Sequence, residues 1–452
     1  MSKNILFIAY YFPPDSSSGA FRPLHFARHL HNMGTNVSVL TAREQDYLSG
    51  HSKDEKLFQT IPKQVAIFRS RVYRPKELLI HFRNWLRCTF RQAGIIGNSS
   101  DNTMSSQVEK RDSFFQKIKD FITDFLSIPD TNVGWLPSAL NKGLCIIRER
   151  HIDVIYATGG PWTCLLIGAI LKKFTGKPLI LDFRDPWVTN PYFLLRSPII
   201  QSFETLLERK VIKIADHVIA NTEELRQNFL QRYPELGDNM VTTIPNGFDE
   251  YIDMPLTKNK RLTFTHAGSL YFSRNPRFLL QAIVNLVDNK IIPKGDLRFV
   301  FLGSFHIEDP LLAPLLKHPT LQDIVELLPQ VSYQEAVAYQ SRSDVLLLIQ
   351  PDFPLQVPRK LYEYLAFRKP ILGITDAHGA TATIIRDNQL GLVVENRTSE
   401  LEQSLQIIYG QWKKGTLDAD VRNLEKYEKF TNKHLTRELL NISDIIVNKR
   451  FS

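Results

Sequence analysis

Short, apolar, β-prone runs separated by stretches with helical apolar spacing recur along most of this chain. No other feature limits the fold as much. Residues 4–10 are apolar and β-prone and end at Tyr11-Phe12-Pro13-Pro14, followed by a loop of Asp and Ser up to Gly19. Phe21, Leu24, Ala27, Leu30 and Met33 then return at helical spacing, Gly34 supplies a stop, and residues 36–41 read as the next strand. A strand, a helix and a second strand of this kind form one βαβ unit with parallel strands. The pattern resumes at a strand over 153–157, the turn Thr158-Gly159-Gly160-Pro161, a helix through Lys172 and a strand over 179–182. A helix over 202–215 then feeds a strand over 217–220. A doubly wound parallel sheet is the economical reading.

After Ile244-Pro245-Asn246-Gly247 a second set of strand-length apolar runs begins, at 262–268, 297–303, 344–350, 370–374 and 391–394, with helical patterns between. A chain of 452 residues exceeds one Rossmann-sized unit and can bury two cores. The expected fold is therefore α/β with two Rossmann-like domains: 1–243, then 244–425, and a terminal helical segment 426–452 whose apolar spacing suits a return to the first domain.

Between about 69 and 134 the alternation breaks. Arg69, Arg71, Arg74, Lys76, Arg83, Arg87 and Arg91 accompany Phe82, Trp85 and Phe90, and Phe114, Phe115, Ile118, Phe121, Ile122 and Phe125 form a further stripe at helical spacing. The balance of 56 Lys+Arg against 47 Asp+Glu suits a phosphate-bearing ligand or an anionic membrane. This basic, aromatic insertion reads equally as a shallow membrane anchor or as helices packed on the first domain.

Cys88, Cys145 and Cys164 are widely spaced and fit no metal-ligand pattern, so reduced thiols in a cytoplasmic protein, with no metal site, are expected. The amino terminus reads as a first strand rather than a signal peptide, having one basic residue and no small-x-small cleavage site. The longest apolar stretch, 162–171, is about half the ~20 residues a spanning helix requires. Absent too are G-x-x-x-x-G-K-[ST], G-x-G-x-x-G, H-E-x-x-H and G-x-S-x-G, which removes the kinase, dehydrogenase, zinc-protease and serine-hydrolase readings. No nucleic-acid partner is expected.

The residues that could carry chemistry fall at predicted strand ends. In VPRKLYEYLAFRKPIL (357–372), Lys360 and Glu363 lie in the first turns of a helix and face the same way. The lysine suits a phosphate and the carboxylate a ribose diol; otherwise they are an ordinary Lys-Glu pair on an amphipathic surface. In THAGSLYFSRNPRF (265–278), Gly268 ends a strand and permits close approach of a ligand. Arg274, with Arg277 second to it, supplies a cation there. Gly19 sits at the first strand-to-helix turn. In LDFRDPW (181–187), Asp182, Arg184 and Asp185 gather at another strand end, either for use or to brace the loop by pairing with each other.

Glu363-Tyr364-Leu365-Ala366 through Lys369-Pro370 is similar to the E-A-x-A-x-G-x-P segment of the retaining family 4 glycosyltransferases, which have the GT-B fold of two Rossmann-like domains facing across a cleft. Eight residues before Glu363 that family has a second glutamate contacting the donor sugar. Here Leu355 stands in its place. The P-x-K-x-x-E-Y form of 358–364, with D-F-R-D-P-W at 182–187 and P-D-x-x-x-G-W at 129–135, resembles a subgroup of the family. Glu208, Ala215-Asp216 and Pro245-Asn246-Gly247-Phe248-Asp249 match its helix-strand pair and interdomain segment.

The resemblance implies transfer of a sugar from a nucleotide diphosphate donor to an acceptor hydroxyl with retention, without a metal or other cofactor. Arg274 and Lys360 would be catalytic on the departing diphosphate, with Gly19, Gly268, Arg274, Lys360 and Glu363 binding the donor. Arg184 and Asp185 would contact acceptor or donor sugar. The basic, aromatic insertion, if it faces an anionic bilayer, points to a surface-polysaccharide or lipid-linked glycan acceptor and to a place in the cytoplasm, peripheral on the inner face of the plasma membrane. Two alternatives share the architecture: a nucleotide-sugar 2-epimerase, and a non-catalytic sugar-nucleotide-binding scaffold.

Overall fold

The apolar runs become buried strands because helices cover both faces of a parallel sheet, so every position of such a strand avoids water. The computed structural model describes residues 3–47, 53–74, 124–252, 259–417 and 424–449. It divides into two compact units, Met1–Ile219 with Glu235–Thr242 and Leu440–Ser452, and Ala220–Pro234 with Thr243–Leu439.

In the first unit, β1 (Asn4–Ile8), β2 (Asn36–Ala42), β3 (Ala66–Ser70), β4 (Val154–Thr158), β5 (Leu179–Phe183), β6 (His217–Ala220) and β7 (Val241–Thr243) form one sheet. Its order is β3-β2-β1-β4-β5-β6-β7. The pairings of β1 with β2 and β4, of β2 with β3 and of β4 with β5 are parallel. Its helices are α1 (Ser18–Asn32), α2 (Glu55–Gln59), α3 (Leu136–Glu149), α4 (Thr163–Thr175) and α5 (Pro198–Ile214). Successive strands run outward on one side from β1 to β3 and on the other from β4 onward. The winding therefore reverses between β1 and β4, where such sheets open a crevice at their carboxyl ends.

The second unit holds α6 (Glu223–Arg232), β8 (Leu262–Ala267), β9 (Leu270–Tyr271), α7 (Arg277–Asp288), β10 (Leu297–Leu302), β11 (Phe305–His306), α8 (Leu312–Leu316) and β12 (Val325–Leu328). It continues with α9 (Tyr333–Ser341), β13 (Val345–Gln350), α10 (Arg359–Leu365), β14 (Ile371–Thr375), α11 (Ala380–Asp387), β15 (Gly391–Val394) and α12 (Thr398–Lys414). The last helix is α13 (Asn432–Asn448). The sheet order is β12-β10-β8-β13-β14-β15, all parallel, and β9 and β11 form a small parallel pair of their own. Here the winding reverses between β8 and β13. Stacked Phe264 and Phe299 rings, 4.4 Å between centroids, anchor the core beneath.

Among the elements that depart from the sequence reading are three in the first unit. Arg69, placed at the head of the insertion, is in edge strand β3, its guanidinium donating to the carbonyls of Ala42 and Pro13. Helix α5 begins at Pro198, four residues before the predicted start, because proline is favoured in a first turn. Residues 136–149, given no element from sequence, form α3. The cationic and aromatic residues of the insertion from Lys76 to Ile122 lie outside the described residues.

Candidate functional site: two crevices at the strand ends

Helix α10 is held by burial of Leu361, Tyr362, Tyr364 and Leu365, which leaves Lys360 and Glu363 on its less buried side. The Tyr364 hydroxyl donates to the Leu347 carbonyl at 3.2 Å and lies 3.4 Å from the Ala267 amide, tying α10 to β13 and β8. From that helix the Lys360 side chain reaches the end of β8. Gly268 there has φ +137°, open to glycine and strained for other residues, and a Cβ placed on it would fall on the Lys360 ammonium. The glycine therefore serves both a backbone bend and the seating of a cation.

Among the described residues, no hydrogen bond or ion pair reaches that ammonium. Burial, followed by the charge of Arg274 and partly offset by Glu363, pushes its pKa down to about 8. Arg274 lies with its guanidinium 4.7 Å from the Tyr271 ring centre, and its Nε is buried without a hydrogen-bond partner. Arg277 Nε likewise lacks a hydrogen bond, but this guanidinium is ion-paired with Asp309 at 3.2 Å. The structure thus separates the two arginines that the sequence could only rank. Lys360, Gly268 and Arg274 come together at the point where the winding of the second sheet reverses.

Glu363 shares the less buried side of α10 with Lys360. Its carboxylate is ion-paired with Arg359 one turn back and does not pair with Lys360. Near it stands Tyr333, the exposed first residue of α9. Sequence reasoning passed over His266, which is 2% exposed on β8. Burial, then Lys360, pushes its pKa down to about 3, so it is neutral. One titratable residue inside a run of Leu, Thr, Phe and Ala was the signal available.

In the first unit, Gly19, Gly160, Arg184 and Asp185 gather near the ends of β1, β4 and β5. A Cβ on Gly19 would lie 2.6 Å from Arg184 Nη1, and one on Gly160 would lie 2.7 Å from Nη2. Arg184 donates to the Gly160 carbonyl at 2.9 Å and pairs with Asp185 at 3.4 Å. Asp182 leaves this cluster. It is fully buried and takes Arg22 in a bidentate pair at 2.8 and 2.9 Å, with the hydroxyls of Tyr156 and Thr158 completing its shell. Arg22 was also missed from sequence, although a cation beside Phe21 and Leu24 on a helix with an apolar face is itself a sign of a buried partner.

The other shared motifs are structural. Asp130 accepts from the Thr163 amide and hydroxyl at 2.8 and 3.0 Å, closing the start of α4. Trp135 is buried with its Nε1 donating to Ser70. Trp187 stacks on Trp162 at 5.7 Å. Among the described residues no helix is long and apolar enough to cross a membrane, and no three His, Cys, Asp or Glu side chains gather as metal ligands.

Comparison with known proteins matches residues 111–250 to the family described as Glycosyltransferase Family 4 and residues 261–447 to Glycosyl transferases group 1. No curated protein matches the sequence. Among solved structures, sucrose-phosphate synthase from Thermosynechococcus elongatus is similar with a TM-score of 0.64 at 13% identity, over 99% of this chain and 100% of that one. HepE from Anabaena, solved in complex with UDP and glucose, has a TM-score of 0.59 at 14% identity, over 97% and 99%. A putative UDP-N-acetylglucosamine 2-epimerase from Listeria monocytogenes has 0.52 at 11%, over 99% and 97%. At such identities the likeness concerns the fold, which is GT-B.

Proposed function

From the premise that this chain belongs to the GT-B glycosyltransferases, we propose that it transfers a sugar from a nucleoside-diphosphate donor to an acceptor hydroxyl with retention of configuration. The observation that carries this reading is the Lys360 ammonium, unpartnered over Gly268 and beside Arg274. Two cations held in a crevice without a carboxylate partner are arranged for an anion. As the bond between anomeric carbon and diphosphate oxygen breaks, negative charge grows on the leaving group, and Lys360 and Arg274 stabilise it there. These cations support a metal-independent reaction. The leaving phosphate takes the acceptor's proton as the new glycosidic bond forms on the same face. Glu363, released from Arg359, accepts from the ribose hydroxyls.

Gly19, Arg184 and Asp185 are proposed for contacts with the sugar or acceptor, through groups of Arg184 that turn from Gly160 and Asp185 to ligand. A glycan or lipid-linked glycan is the proposed acceptor, with the enzyme in the cytoplasm at the inner face of the plasma membrane. Support for the membrane comes from α5, where Ile199, Phe203 and Leu206 are exposed along one face with Arg209, Lys210 and Lys213 following, and Phe125 packs on Phe203 at 5.8 Å. An apolar stripe continued by cations fits an anionic bilayer surface. Sedimentation with anionic vesicles is expected at low salt and weaker at high salt; equal partition at both, or none, removes the membrane reading.

The test of the activity is release of nucleoside diphosphate from a panel of UDP-, GDP-, ADP- and dTDP-sugars, with and without acceptor glycans. One donor is expected to be consumed, with its sugar recovered in a new glycoside. Interconversion of the nucleotide sugar without its cleavage would indicate an epimerase. Donor binding with no reaction would indicate a scaffold.

A further inference from the structure

A second group of charges in the first unit stands apart from the Arg184 crevice. Arg43, Glu44, Gln45, Lys53 and Arg69 line a cavity of about 500 Å³, within the size range of small-molecule sites. Its place follows from the sheet. β2 and β3 run parallel and end level at Ala42 and Ser70, and the Arg43 amide, the first beyond β2, donates to the Ser70 carbonyl at 3.0 Å. The cavity therefore opens at the carboxyl ends of these strands, the edge along which such sheets receive ligands.

Three cations and one carboxylate line it. Glu44 is shared between Arg69 at 3.4 Å and Lys53 at 3.7 Å, partly exposed contacts that contribute little energy. The neighbouring acids are turned to amides: Asp15 accepts from that of Ser17, Asp46 from that of Val72 and Asp54 from that of Lys56. Arg69 donates to the carbonyls of Ala42 and Pro13, which orient its guanidinium and bring no charge to cancel its own. Among the described residues, no hydrogen bond or ion pair reaches the side chain of exposed Arg43.

The loop after β1 borders both sites. Its Gly19 lies against Arg184, while its Pro13 carbonyl takes Arg69, its Pro14 carbonyl takes the Asp54 amide at 2.8 Å, and Asp15 bridges to Lys53. From β4 to the gap between β2 and β3 is two to three strand spacings, about 10–15 Å. A ligand lying along this loop would have one end at Gly19 and the other among the cations.

We propose that this cavity binds an acidic group, phosphate or carboxylate, carried by the acceptor glycan. This rests on the reading of the chain as a glycosyltransferase with its acceptor at the Arg184 crevice. Two guanidinium forks suit either oxyanion, and Lys53 adds a point charge. Standing about 10–15 Å from that crevice, the acidic group selects the acceptor and takes no part in the transfer.

The experiment is calorimetry of methyl glucoside 6-phosphate, methyl glucuronide and neutral methyl glucoside on wild type, Arg43→Gln, Arg43→Gln/Lys53→Gln and Lys360→Ala. Wild type should bind one acidic glycoside about tenfold more tightly than the neutral one, and the tighter of the two identifies the acid. Arg43→Gln should weaken that binding by about tenfold and the double variant further, while Lys360→Ala keeps it. Loss in Lys360→Ala with retention in the double variant would place the anion in the donor crevice and overturn the proposal. Equal binding of acidic and neutral glycosides would overturn it too. So would wild type that binds phosphatidylglycerol vesicles and neither acidic glycoside, which would give these cations to a bilayer. Should the variants not fold, the Arg43 Nε–H signal of wild type decides: it should move on titration with the acidic glycoside, and an unmoved signal contradicts the site. Binding through Arg43 and Lys53 by a protein that cleaves no donor would remove the transferase reading and keep the anion site. Donor cleavage without preference for the acid would remove the site alone.

Discussion

The two units carry crevices built to one plan and finished differently. In each, a glycine without room for a Cβ lies against a long cation where the winding of a parallel sheet reverses. In the first unit the charges are satisfied internally: Arg184 by the Gly160 carbonyl and Asp185, and Asp182 by Arg22, Tyr156 and Thr158. In the second, Lys360 has no partner among the described residues, and the Nε atoms of Arg274 and Arg277 and Nε2 of His266 are buried without hydrogen bonds. Buried polar groups cost free energy when unpaired, and these three nitrogens lie in the unit that also holds the Lys360 ammonium. A closed network fixes a shape; an open one awaits a ligand.

Substitutions can break or sharpen that contrast. The largest effect is expected from Lys360→Ala, which should lower transfer by about 10²–10³-fold and leave thermal stability unchanged or raised, because a desolvated cation is removed. A large stability loss with normal turnover would make this crevice another closed network. Asp182→Ala should do the reverse. It strands Arg22 in the core and should cost about 3–5 kcal/mol in denaturant unfolding, whereas a change below about 1 kcal/mol would show that the buried pair does not hold the first unit.

The paired arginines give a finer comparison within the second unit. Arg274→Ala should weaken nucleoside-diphosphate binding by about tenfold, near the 1.4 kcal/mol of one charge-assisted hydrogen bond. Arg277→Ala, which releases only a partly exposed pair with Asp309, should change binding little. Equal losses would mean that both contact ligand. The smallest effect is a pH dependence with opposite signs for binding and stability. The ammonium is the phosphate-binding form, so affinity should fall as pH rises through about 8. The same depressed pKa means that between there and the ordinary lysine value the unfolded chain binds more protons, so this group's contribution to stability should rise with pH over that window. Affinity titrations and unfolding midpoints from pH 7 to 10.5 check both.

What the sequence revealed and what it hid divide along the range of the interactions. The strands β1, β2, β4 to β6, β8, β10, β13 and β14 were legible because burial on both faces demands continuous apolar runs, and edge strand β15, half-exposed, was legible from its apolar composition alone. Edge strands β3 and β12 were not, since Ala66–Ser70 and Val325–Leu328 are mostly half-exposed and mix Arg or Glu with apolar residues. Gly268, Arg274 and Lys360 could be selected because each follows or begins an element at a strand end. Their partners could not. That Glu363 takes Arg359, that Asp182 takes Arg22 across 160 residues, and that His266 stands between β8 and β13 are facts of packing. Helical spacing put Lys360 and Glu363 on one side but could not tell which neighbour each would meet.

The most direct test of the second crevice as a nucleoside-diphosphate site is calorimetry of UDP, GDP, ADP and dTDP at pH 7 on wild type, Lys360→Ala and Glu363→Ala. Wild type should bind one of them selectively, Lys360→Ala should lose that binding, and Glu363→Ala should weaken it through the ribose. Binding that survives intact in Lys360→Ala, or no binding by wild type to any of the four, would contradict the account.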